Sequence, residues 1–153
     1  MTPTPRVRVI GIGEPAAGDD GVGRVVLERL RSQGVPDDVE LHEVRDPTEI
    51  VDLLAGAALV VVIDAVIGGR PGEVLDLRPE ELAARGMPAV STHVVGVLEA
   101  IELASVLHAQ PQPPVRVVGV AIEPPSGLGA ALSPAVAAAV PGAVGRVRAL
   151  CAR

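Results

Sequence analysis

The sequence of 153 residues contains no Phe, Trp or Tyr, no Lys and a single cysteine, Cys151. Without aromatic side chains the protein lacks the stacking platforms that single-stranded nucleic acids require, and its core must be aliphatic. Without Lys it cannot perform Schiff-base chemistry or form a P-loop. Because one cysteine cannot form an intrachain disulfide, we expect a cytoplasmic protein.

Basic charge is also scarce, since 13 Arg face 19 acidic residues and give a net charge of −6. We therefore expect no nucleic-acid partner. The longest apolar run, Leu53–Ile63, is shorter than the roughly 18–20 residues of a membrane span, so we expect no membrane partner. The start of the chain lacks a signal-peptide pattern, and the length fits one domain over residues 1–153.

Strand-like and helix-like segments alternate along the chain. The alternation predicts an α/β fold, a single doubly wound and mostly parallel sheet with helices on both faces in three layers. The predicted strands are Arg6–Ile12, Val39–Val44, Leu59–Ile63, Glu73–Leu77 and Val115–Ile122. The predicted helices are Asp19–Gln33, Thr48–Leu54 with Thr48 as N-cap, Pro79–Ala84, Val94–His108, and a last helix from Ser133–Pro134 that Pro141 kinks or divides.

Three polar residues stand where predicted strands and helices meet. Asp20 follows the first strand, Asp64 ends the third, and His93 precedes a long helix. Ligands of open α/β sheets bind at the carboxyl ends of the strands, so these side chains can converge there. Two carboxylates and an imidazole would form a metal site with open positions, suited to nickel or zinc. We expect Asp19 to cap the helix and orient Asp20.

The glycines after the first strand also permit a nucleotide interpretation. Gly11, Gly13 and Ala16 match the relaxed G-x-G-x-x-G/A fingerprint. However, Pro15 removes an amide that could bind a pyrophosphate, and two aspartates place negative charge at the helix start. A thermal shift with NAD or ATP would test this alternative.

Several segments together match one family. Gly11–Gly23 is similar to an opening G-[IV]-G-N-x-x-x-x-D-[DE]-G-x-G, Val60–Ala65 to a central strand ending in Asp-Ala, and Ser91–Gly96 to S-x-H-x-x-G. Gly119–Pro124 and Leu132–Val136 are similar to the late G-[IV]-x-[IP]-E-P and L-S-P-x-V segments. The chain thus resembles the hydrogenase maturation proteases, which trim the large subunit of nickel–iron hydrogenases.

The resemblance implies that Asp20, Asp64 and His93 bind the metal and carry the catalysis. It implies a metal-dependent endopeptidase that recognises nickel already inserted in the precursor, with zinc or cadmium as substitutes in vitro. The implied partner is the hydrogenase large-subunit precursor, cut just beyond its C-terminal metal-binding cysteine motif. We expect a monomer, and leave self-association through apolar helix faces open.

Two positions depart from the family pattern. Glu14 replaces the usual Asn, and Asp46-Pro47 replaces the paired glycines of D-G-G-T while Thr48 is kept. Glu14 is a candidate general base by position alone. The sequence has no H-E-x-x-H, no G-x-S-x-G and no Cys near a His, which disfavours other protease mechanisms. A non-catalytic module that holds the immature large subunit is the alternative function.

Overall fold

Strands and helices alternate in the computed structural model as well. It describes residues 4–14, 18–84, 92–108, 111–123 and 131–152, and only the backbone of residues 82–84 and 92–95. The strands are β1 (Val7–Ile12), β2 (Val39–Val44), β3 (Leu59–Ile67), β4 (Val74–Leu77) and β5 (Val115–Ile122). The helices are α1 (Val22–Gln33), α2 (Pro79–Ala84), α3 (Thr92–Leu107) and α4 (Pro134–Cys151), and Gly18–Gly21 and Pro47–Leu53 form 3₁₀ helices.

The strands form one sheet in the order β2-β1-β3-β5-β4. The pairs β1–β2, β1–β3 and β3–β5 are parallel, and β4 joins the edge of β5 in the antiparallel direction. In this order β2 lies on one side of β1 and β3 lies on the other, so the direction in which strands are added to the sheet reverses after β2. This confirms the predicted mostly parallel, doubly wound α/β fold.

Helices cover both faces of the sheet. On one face, α1 and α4 pack against β1, β3 and β5, and on the other the 3₁₀ helix Pro47–Leu53 and α3 pack against the same strands. The central strand β3 alternates between the two cores, with Val61 and Ile63 toward α1 and α4 and Val60 and Val62 toward α3. Because both faces are covered, its residues are apolar almost without interruption. In the described residues no helix is long and apolar enough to cross a bilayer.

Several predicted element ends differ from the structure. The helix predicted from Asp19 starts as the 3₁₀ helix Gly18–Gly21, and α1 begins only at Val22. Thr48 is not an N-cap, because the Asp46 carboxylate accepts the Thr48 amide hydrogen bond at 2.8 Å and caps the Pro47–Leu53 helix. That segment is a 3₁₀ helix.

The last helix is continuous. Ser133 is its N-cap and Pro134 opens it, as predicted, but Pro141 neither divides it nor ends it. Pro141 is exposed, whereas residues on either side of it are buried against the sheet, including Val140 and Val144. Proline has no amide hydrogen, so α4 lacks one backbone hydrogen bond at Pro141. Packing of the buried side chains against the sheet keeps the helix continuous there.

Candidate functional site

The carboxyl ends of β1 and β3 form the point where the strand order reverses. Parallel pairing of β1 with β3 ends at Gly11 and Ile63, whereas β3 continues beside β5 as far as Ile67 and Ile122. Asp64 is therefore the first residue of β3 beyond its pairing with β1. Open α/β sheets bind their ligands in the crevice at such a point.

Asp64 is a buried carboxylate inside a strand. Its exposed fraction is 1%, and it is the one buried polar residue in the described part of the chain. The prediction that it ends the strand is wrong, because β3 continues to Ile67. Asp64 Oδ1 accepts a hydrogen bond of 2.8 Å from the Ala65 amide. A buried carboxylate costs free energy even when it is hydrogen-bonded, which makes Asp64 a candidate functional residue.

The direction of Asp64 follows from strand alternation. Val60, Val62 and Val66 belong to the core beneath α3. Asp64 lies an even number of residues from each of them along β3, so its side chain is on the same face of the sheet. Its register partner on β5 is Gly119, which contributes no side chain on that face. The carboxylate therefore lies on the α3 face of the sheet.

Glycines bring the start of α1 against this edge. A Cβ atom at Gly23 would clash with the carbonyl oxygens of Ile12, the last residue of β1, and Ile63, the residue before Asp64 in β3. A Cβ at Gly11 would lie 2.7 Å from Gly23 O, and one at Gly13 would lie 3.0 Å from the Gly21 Cα. Close backbone packing thus accounts for these glycines without a bound phosphate. It places the Gly18–Gly21 helix, which carries Asp20, beside β3.

The two neighbouring aspartates differ in their contacts. Asp19 Oδ1 accepts a hydrogen bond of 2.7 Å from the Ser133 amide, at the start of α4. The prediction that Asp19 caps the following helix is therefore wrong, because Gly21 is the N-cap residue of α1 and no side chain caps it. Asp20 is half-buried in the same 3₁₀ turn. Asp19 fixes that turn to α4, and nothing in the local sequence signals this contact.

His93 lies in the first turn of α3, and its side chain is outside the described part of the structure. One turn later, a Cβ at Gly96 would lie 2.9 Å from the Pro47 side chain, so this end of α3 packs against the segment that follows β2. The backbone of His93 is thus near the carboxyl edge of the sheet, on the face that holds Asp64. His42 instead contacts Glu40 Oε1 at 2.9 Å, and His108 follows the end of α3.

A three-residue metal site stays a prediction. Among the described side chains no group of three His, Cys, Asp or Glu residues could hold a metal ion. That set does not include the His93 imidazole, so it does not decide whether Asp20, Asp64 and His93 converge. The donor chemistry fits the predicted ions, because carboxylate oxygens and an imidazole nitrogen suit nickel and zinc. Glu14 is exposed beyond β1, and Pro15 and Ala16 lie outside the described residues.

A groove continues from this edge along α3. Its volume is about 410 Å³, and its walls are the loop after β2, including Arg45, Asp46 and Thr48, and the α3 residues Glu99 and Leu103. The sequence indicated the loop, through its departure from the family pattern. It did not indicate the wall that α3 forms. The one available signal was the spacing of Glu99 and Leu103, which are four residues apart and so lie on the same face of the helix.

The shifted pKa values belong to groups away from this edge. The Arg6 guanidinium lowers the pKa of Asp38, and hydrogen bonds from His42 and Arg8 lower the pKa of Glu40. Burial raises the pKa of the Cys151 thiol near the end of α4. These groups lie near the amino-terminal ends of β1 and β2 and at the end of α4.

Comparison with known proteins gives the family. The model of the hydrogenase maturation protease family matches residues 37–149. The chain belongs to the hydrogenase maturation protease family. It is 31% identical to Protein FrxA of Pyrococcus furiosus over 130 residues, which are 83% of this chain and 91% of that protein. Membership places the chain among hydrolases that act on peptide bonds, and associates it with the hydrogenase large-subunit precursor.

Solved structures of maturation proteases share the fold. The hydrogenase maturating endopeptidase HybD from E. coli aligns with a TM-score of 0.79 and 26% identity, over 95% of this chain and 91% of its own. The hydrogenase 2 maturation peptidase from a Thaumarchaeota archaeon aligns with a TM-score of 0.68 and 30% identity, over 95% and 97%. Both matches cover nearly the whole of this chain.

Proposed function

We propose that the protein is an endopeptidase that removes the C-terminal tail of a nickel–iron hydrogenase large-subunit precursor in the cytoplasm after nickel insertion. The observation that carries the proposal is the buried Asp64 carboxylate at the switch point between β1 and β3, where glycine packing places the turn of Asp20. Family membership and the HybD fold support the peptide substrate.

Asp20, Asp64 and His93 are the proposed ligands of the nickel that the substrate carries. A cation bound there would polarise the scissile carbonyl or lower the pKa of a water molecule. Asp64 contributes a carboxylate whose position is fixed by the strand and by the Ala65 amide. Asp19 holds the turn of Asp20 through Ser133. Glu14 is exposed beyond β1, and we retain it as a candidate base by position.

The loop after β2 is the proposed contact for the tail. Asp46 and Pro47 replace glycines of the family pattern, and Pro47 is buried against Gly96 of α3. The loop is therefore stiffer than a pair of glycines would be. This stiffness favours a narrower range of tail sequences.

The test compares Asp64→Asn and His93→Ala with the wild type on a nickel-loaded precursor. We expect both variants to lose tail release, while the matched controls Asp52→Asn and His108→Ala retain it. Titration of each variant with Ni²⁺ in a calorimeter supplies a readout other than activity. Unfolding curves check that each variant still folds.

Two results would contradict the proposal. Unimpaired cleavage by both variants would remove the metal-site assignment. Nickel-dependent capture of the precursor by the wild type, with no tail release, would instead support the non-catalytic module. An assay of precursor binding with and without nickel separates that module from the protease.

A further inference from the structure

The outer face of α3 carries an unusual concentration of exposed apolar side chains. In the described residues the exposed large hydrophobic side chains are Leu103, Val106 and Leu107, with exposed fractions of 47%, 81% and 62%. All three lie in the second half of α3. The opposite face of the helix is buried through Val97, Ala100 and Ala104. Clustered exposed apolar side chains indicate an interaction surface, whereas scattered ones do not.

Acidic side chains border this cluster on the same side of the helix. Glu99 and Glu102 are exposed and precede Leu103 and Val106 by four residues each, which places them on one helical face. In the described part of the chain neither carboxylate forms an ion pair. We call the five residues Glu99, Glu102, Leu103, Val106 and Leu107 the α3 stripe.

The α3 stripe is continuous with the candidate site. Glu99 and Leu103 form one wall of the groove whose other wall is the loop after β2. That loop lies at the carboxyl edge of the sheet, where Asp64 is buried on the α3 face. A protein whose tail lies in the groove would therefore meet the stripe with the part of its surface next to the tail.

We infer that the α3 stripe is the docking surface for the folded body of the hydrogenase large-subunit precursor, an inference that rests on the proposed function. The stripe selects a partner surface with apolar side chains flanked by Arg or Lys, because its own apolar residues are bordered by two carboxylates that form no ion pair within the described residues. A second copy of the chain fits less well, since each copy carries a net charge of −6.

The experiment measures kcat and KM on nickel-loaded precursor for Val106→Ser and Leu107→Ser. Both side chains are exposed, so the substitutions leave the core intact. We expect KM to rise about tenfold, equal to ~1.4 kcal/mol of binding free energy, with kcat unchanged. The matched control is Ala138→Ser, at an exposed position of α4 on the other face of the sheet.

Charge reversal supplies an independent measurement. Glu99→Lys and Glu102→Lys should slow association with the precursor, whereas Asp37→Lys, an exposed control in the loop before β2, should not. Equal KM values and association rates for stripe and control variants would overturn the inference. A wild-type dimer in sedimentation velocity that Val106→Ser converts to a monomer would also overturn it, because the stripe would then be a self-interface.

The same variants separate the inference from the proposed function. If the wild type binds precursor but releases no tail, the proposed function fails, and the dissociation constants of the stripe variants still decide the docking surface. If the tail is released with KM insensitive to the stripe, the docking inference alone fails.

Discussion

Replacing Gly23 with alanine tests the packing that places Asp20 beside β3. Alanine is a better helix former than glycine, so at an open helical position the change stabilises a protein by up to about 1 kcal/mol. At Gly23 the new methyl group would instead clash with the carbonyl oxygens of Ile12 and Ile63. Because both oxygens belong to the backbone of buried strands, neither can move without shifting the sheet or α1.

The expected cost follows from these contacts. Overpacking a core costs about 1–3 kcal/mol, and two backbone clashes place Gly23→Ala at the upper end, near 2–3 kcal/mol. Gly145→Ala is the matched control, because Gly145 lies in α4 and its Cβ would meet nothing within 4 Å. For a chain of this size 1 kcal/mol corresponds to about 2–4 °C in Tm. Gly23→Ala should therefore lower Tm by about 4–12 °C, whereas Gly145→Ala should raise it by about 1–4 °C.

Far-ultraviolet circular dichroism is the appropriate assay, since the chain has no Trp or Tyr to report by fluorescence. Thermal and urea unfolding of both variants should be measured in the same buffer. We also expect Gly23→Ala to weaken binding of Ni²⁺, because α1 and the preceding turn must shift together. A Gly23→Ala protein as stable as Gly145→Ala would refute the close approach of α1 to the two strands.

Other predictions concern single contacts. Asp19→Ala removes the acceptor of a half-buried amide before α4 and should destabilise the protein by about 1–3 kcal/mol in urea unfolding, whereas Asp19→Asn, which keeps an acceptor, should cost less. The Cys151 thiol should react slowly with iodoacetamide in the native protein and rapidly in urea, because it is buried and its pKa is raised; equal rates would contradict its burial. Hydrogen bonds from His42 and Arg8 lower the pKa of Glu40, so their stabilising effect is present above the ordinary glutamate pKa of about 4.3 and lost as pH falls through the lowered value. Glu40→Gln should flatten that part of the acid-unfolding curve, and an unchanged curve would show that the pair contributes nothing.

The sequence predicts the sheet well because its strands are buried on both faces. Uninterrupted β-branched runs such as Val60–Ile63 have few alternatives to a central parallel strand. The same rule placed the end of β3 too early, because Asp64 interrupts the apolar pattern although the backbone continues to Ile67. Pairing with β5 extends the strand, and pairing partners are not visible in a local pattern.

The candidate site could be predicted in part. The rule that ligands bind where strand order reverses identified the edge that holds Asp20 and Asp64. The role of Asp19 could not be predicted, since its partner Ser133 is 114 positions away along the chain. Asp19 has good N-capping chemistry, but the chain forms a 3₁₀ turn at Gly18–Gly21, so its carboxylate meets α4 instead.

At the candidate site the free energy lost by burying a charged group falls on Asp64, and a functional role would explain why a carboxylate is kept there. Elsewhere the carboxylates near β1 and β2 face arginines, as in the Arg6–Asp38 and Arg8–Glu40 pairs at 2.8 and 3.0 Å. The Arg6–Asp38 pair is largely exposed and needs little desolvation, and in the second pair the Glu40 carboxylate keeps 38% of its exposure. Asp64 is 1% exposed within β3, so its carboxylate has lost nearly all of its hydration, a cost that a Leu or Val there would not carry. A fold that keeps a carboxylate there, and fits glycine backbones around it, gives up stability at the edge where a cation carried by the substrate would have to bind.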